Sequence, residues 1–167
     1  DGWGTTRCAS RPIDALAVEL AQHAHLARTL DAKPVAQLLQ REILYLNRAA
    51  EHAERSALPG ASETLWHELA GLVAGAAKAE ALRRAAMQAY GSGRVQQAEV
   101  LFIEALQAAS ALGDKSAQGV TWGNLALLYR DTGRTDLAEE TGNRALEVLG
   151  EVSNWRAGGE ALANLAG

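Results

Sequence analysis

The chain lacks most of what staples a small secreted domain or marks a membrane protein. It has one cysteine, Cys8, so no internal disulfide can form. A lone thiol in the polar setting Thr5-Thr6-Arg7-Cys8-Ala9-Ser10 fits a reducing, cytoplasmic compartment. No apolar run approaches the ~20 residues that a membrane-crossing helix needs, and nothing resembles a signal peptide. Aromatic residues make up 5% of the chain, with Phe102 the only phenylalanine, and there are just three prolines, Pro12, Pro34 and Pro59. An excess of positive charge is missing too. The formal charge of −4 gives no electrostatic reason to bind nucleic acid or anionic lipid.

What remains is alanine, leucine and other good helix formers, with few β-branched runs, over 167 residues. That composition predicts an all-α protein with room for a substantial core. Residues 1–11 carry two glycines and no periodicity, and read as an extended arm. Pro12 suits a first helical turn, and apolar residues follow at helical spacing to about Leu30. A second helix is expected from about Pro34 to about Ser56, with Leu38, Leu39, Ile43, Leu46, Ala50 and Ala53 on one face. Ser62 reads as the N-cap of a third helix that buries Leu65 and Leu69 and breaks near Gly75.

From residue 78 onward the chain repeats itself every 40 residues. Leu82, Trp122 and Leu162 align, as do Ala85, Leu125 and Leu165, and Ala86, Ala126 and Ala166. Gly93 aligns with Gly133, Ala98 with Ala138, and Ala105 with Ala145. A fixed period of this size marks a solenoid, whose units bury a core by stacking on their neighbours. The units fall at 78–118 and 119–158, with a partial third at 159–167. Residues 12–77 show no 40-residue register and read as a non-repeating helical cap, or as a repeat too degenerate to see. The start at Asp1 and the stop inside the third unit suggest a fragment.

In the Gly119 unit a Trp, Leu-Ala, Tyr, Gly, Ala and Ala follow at intervals of 3, 1, 3, 4, 5 and 7. This pattern resembles the tetratricopeptide repeat, in a longer-unit variety similar to Pins-type adaptors, kinesin light chains and bacterial sensors. The resemblance implies a right-handed α-solenoid of antiparallel helix pairs, with the first helix of each pair lining a concave face. Projected onto this chain, that face carries Arg83, Arg84, Met87 and Tyr90 from the first unit. Asn124, Leu127 and Arg130 come from the second, and Asn164 from the third.

Asn124 and Asn164 stand 40 residues apart, each directly before Leu-Ala. Helix propensity does not explain that recurrence. A side-chain amide offers a donor and an acceptor that match an extended peptide backbone. The arginines add a positive lining suited to an acidic segment. A terminal-carboxylate clamp of the kind known in the family is not expected, because Glu160 occupies a slot that needs lysine.

Catalytic residues, metal ligands and cofactors are not expected. His67-Glu68 lacks the second histidine of a zinc helix, and His23 and His25 point to different sides of theirs. The sequence therefore reads as a scaffold binding a protein or peptide in a groove, without nucleic acid and without membrane insertion. The alternatives are a sensor arm of a larger bacterial signalling protein or activator, and a homotypic assembly module that self-associates through its last helix.

Overall fold

In a computed structural model the described residues are 12–30 and 35–152. They form a 3-10 turn, Pro12–Leu16, and seven helices: α1 (Ala17–Thr29), α2 (Val35–Arg55), α3 (Pro59–Leu72), α4 (Gly75–Gly91), α5 (Val95–Ala111), α6 (Lys115–Asp131) and α7 (Thr135–Val152). There is no strand among the described residues. Each helix packs on the next in chain order, and α4 also reaches α6. The protein is an all-α helical solenoid. The arm at 1–11, Trp155, and the partial unit with Asn164 lie outside the described residues.

The turns explain the register. After α4, Gly93 takes φ 75°; the Arg94 N–H then bonds the Ala89 carbonyl at 2.9 Å, and the Gly93 N–H bonds that of Tyr90 at 2.9 Å. After α6, Gly133 takes φ 73°, and the same two bonds run from Arg134 to Tyr129 and from Gly133 to Arg130. This closing motif satisfies carbonyls left open at a helix end, and its left-handed residue favours glycine. Asp114 caps α6 by accepting a bond from the Ala117 N–H at 3.0 Å.

Helix α3 begins earlier than expected. Pro59 holds its first turn, and Ser62 is buried inside the helix, where its hydroxyl donates to the Ala50 carbonyl at 3.2 Å. Ser62 therefore ties α3 to α2 and is not the N-cap.

The α2–α3 pair has a register of its own. Leu46, Ala49, Ala50 and Ala53 are buried in α2, 36 residues before Leu82, Ala85, Ala86 and Ala89, which are buried in α4. Ala57, 36 residues before Gly93, takes φ 54°, and the Leu58 N–H bonds the Ala53 carbonyl at 2.9 Å. Ser62 and Trp66 precede Ala98 and Phe102 by the same interval, and all four are buried.

Alanine at a left-handed position carries strain that glycine does not. Ala57→Gly is expected to raise stability by about 1 kcal/mol. A rise in the urea midpoint at unchanged slope reads it; a fall shows that Ala57 carries no such strain.

Ion pairs, most of them partly buried, join neighbouring helices. At the first end, the Glu42 carboxylate in α2 accepts from Arg28 Nε at 2.7 Å and meets His25 Nδ1 at 2.8 Å, both from α1. Burial pushes the Glu42 carboxyl up, but the bonds from Arg28 and His25 outweigh it and hold it below the usual carboxylate range. Between pairs, Glu63 of α3 meets Arg94 in the next turn, and Glu99 of α5 meets Arg134 at 2.8 Å. Glu99 also accepts from the Tyr129 hydroxyl at 2.9 Å. Burial and that carboxylate push the tyrosine up to about 12. The Arg134 guanidinium stacks 4.4 Å from the Tyr129 ring centre.

Candidate partner-binding face

Helices α4 and α6 carry seven of the eight residues that the sequence singles out. Arg83 and Arg84 sit on one turn of α4, and both reach Glu80. Arg83 holds it with two bonds of 2.8 Å, while Arg84 Nε donates to it at 3.0 Å. Arg84 also extends to α2, 3.5 Å from Glu54 and 3.7 Å from Glu51, and stacks 4.6 Å from the Trp66 ring centre. Gln88 adds a bond to Glu54 at 3.4 Å. This pairing is geometrically good and partly buried, so these arginines are fixed and largely neutralised by their own chain.

The tie between α4 and α6 is polar. The Tyr90 hydroxyl donates to Asp131, and Arg130 Nε lies 3.1 Å from the other Asp131 oxygen. Burial and the Asp131 carboxylate push Tyr90 up to about 12. The bonds from Tyr90 and Arg130 hold Asp131 below its ordinary value. Met87 and Tyr90 are half-buried against the main core. Leu127 is half-buried on α6.

Asn124 is unlike its neighbours. Its side-chain nitrogen is buried and has no hydrogen-bond partner. A buried unbonded amide costs about 1–3 kcal/mol, so a protein keeps one for a reason. Directly before it, a Cβ built on Gly123 would meet nothing within 4 Å. The sequence also missed residues at this face. Glu51 and Glu54 come from α2, and the signal that finds them is the 36-residue interval, which pairs Glu51 with Met87 and Glu54 with Tyr90.

Two glycines of α6 invite opposite expectations. At Gly119 an added Cβ would lie 2.4 Å from Cγ of Leu149, a side chain that is 2% exposed in α7. Gly119→Ala should destabilise by about 1–3 kcal/mol through overpacking, more than the ~1 kcal/mol gained in helix propensity. Gly123→Ala, with no clash, should stabilise by up to about 1 kcal/mol. Urea unfolding of both variants checks this, and a stabilised Gly119→Ala shows that α6 and α7 can part there without cost.

Among the described residues no group of three or more His, Cys, Asp or Glu is placed to hold a metal ion, and no helix is long and apolar enough to cross a membrane. Compared with known families, residues 78–151 match the model described as Tetratricopeptide repeat. No curated protein matches the chain. That family is a non-catalytic fold whose repeats generally mediate protein–protein interactions. The match spans α4 to α7, where the 40-residue spacing, the glycine turns and the stacked helix pairs coincide. Residues 78–151 thus form units of the tetratricopeptide repeat type.

Proposed function

We propose that the chain is a scaffold that holds an extended peptide or a helix of a partner protein on the face formed by α2, α4 and α6. The observation that carries this reading is the buried, unbonded amide of Asn124 beside the open space at Gly123. The amide offers an unsatisfied donor, and Gly123 beside it places no side chain in the way of a polypeptide backbone. Met87, Tyr90 and Leu127 supply apolar area, and in sequence the asparagine recurs 40 residues on as Asn164. In this reading the α2–α3 pair is a degenerate first unit rather than a cap, because its helix interiors, turn and small residues follow the register of the later pairs.

A peptide selected against the protein from a random display library provides the test. Asn124→Ala should weaken its binding about tenfold, or 1.4 kcal/mol, with helicity unchanged by circular dichroism. Gly123→Ala should weaken it too, although it stabilises the fold. Equal affinity for wild type and both variants would place the binding surface elsewhere.

A further inference from the structure

Nearly every described lysine and arginine is ion-paired with a carboxylate of this chain. Among the described residues the exceptions are Arg41 and Lys78, of which Arg41 lines a groove of about 950 Å3 beside the N-terminal half of α2 and the start of α4, with Gln37, Gln40, Leu44, Val73 and Ala77. Lys78 directly follows Ala77. No carboxylate lines this groove. Gln40 and Leu44 share a helical stripe with Glu51 and Glu54, so the groove continues the proposed binding face toward its N-terminal end.

The arginines that the sequence offers to an acidic ligand, Arg83, Arg84 and Arg130, already hold Glu80, Glu54 and Asp131. An incoming carboxylate there must displace one that is covalently part of the fold, at an effective concentration no free peptide reaches. At Arg41 nothing has to be displaced.

We infer that this groove binds an acidic–apolar peptide segment. The Arg41 guanidinium takes a carboxylate in a two-bond fork. The Gln37 and Gln40 amides meet the peptide backbone, and an apolar side chain of the ligand covers Leu44, Val73 and Ala77. The inference rests on the reading of the chain as a peptide scaffold, but it moves acid recognition out of the matched repeats and into the α2–α3 pair.

The probe is a fluorescein-labelled peptide of alternating leucine and glutamate, with leucine–glutamine and leucine–lysine versions as comparators, titrated onto the whole chain. The leucine–glutamate peptide should bind, and binding should weaken as salt rises. Arg41→Ala should reduce its affinity about tenfold and Arg41→Glu should abolish binding, each with the helical signal intact. Backbone amide resonances of residues 37–44 and 73–77 should shift on binding. Arg144→Ala on α7 should leave this affinity unchanged, and amide shifts confined to residues 37–44 and 73–77 separate this groove from the Asn124 face. The inference is overturned if the leucine–glutamine peptide binds equally well or if Arg41→Glu binds as the wild type does. Shifts centred on Asn124, or no binding at millimolar peptide, also overturn it.

Discussion

Asp14→Ala is expected to cost about 3–5 kcal/mol, a large share of the stability of a domain this size. The carboxylate is 2% exposed. One oxygen accepts from Arg48 Nη1 at 2.8 Å and the other from Arg55 Nη2 at 2.9 Å. Arg48 has a side chain only 9% exposed. Removing the anion therefore leaves a guanidinium shut away from water without its counter-charge, which costs far more than a lost surface ion pair. The site matters because Asp14 belongs to the short turn before α1, while both arginines belong to α2. Without it the first helix keeps its alanine contacts at Ala17, Ala21 and Ala24, and the Glu42 cluster, but loses its most buried polar tie. Urea unfolding reads the loss. The double variant Asp14→Ala/Arg48→Met should regain most of it, since no buried charge is then left alone. A single variant within 1 kcal/mol of wild type would show that Arg48 simply turns out to solvent.

How much of this could be read in the amino acids differs sharply between the two halves. Helices α4 to α7 were legible because two kinds of signal agree there. Small residues recur where helices approach, and glycines recur where the backbone must turn left-handed. Ala126 and Ala138 meet the first demand and Gly133 the second, and a 40-residue shift exposes them at once.

The α2–α3 pair hides for physical reasons. Its interval to the next pair is 36 residues, chiefly because α3 has 14 residues where α5 has 17, and the link after α3 is also slightly shorter. Its turn uses Ala57, a residue that no glycine-seeking comparison finds. Its close approach uses Ser62, whose hydroxyl reads as a cap signal although it bonds the neighbouring helix. The candidate face was legible as a list of positions and illegible as electrostatics. Spacing places Arg84 next to Arg83 on the expected face of α4, but it cannot show that Glu51 and Glu54 reach over from α2. Long-range ion pairs leave no periodic trace, and Asn124 betrays its missing partner only once its surroundings are folded.

Phe102→Ala is expected to be as damaging as the loss of Asp14, about 3–5 kcal/mol, by an unrelated route. The ring is fully buried in α5, within a core cluster made mostly of alanines. Alanine has no rotamer that can swing into a vacated space, so the cavity left by a lost ring should stay open, and the cost of such a substitution rises with the volume left empty. Trp66 precedes Phe102 by 36 residues in α3, whereas α7 has Gly142 40 residues later. Among the described residues the aromatic filling on second helices therefore ends with Phe102. In a stacked array each pair is held by its neighbours, so a hole in the middle pair weakens both of its junctions at once. Hydrogen exchange should then show α6 and α7 losing protection at milder urea than α2 and α3, whereas the wild type should unfold in one step. Phe102→Leu, which refills most of the space, should cost less than about 1.5 kcal/mol and keep the single transition. A single cooperative transition in Phe102→Ala, with a loss below that value, would mean the alanine core closes around the gap and the stack does not depend on this ring.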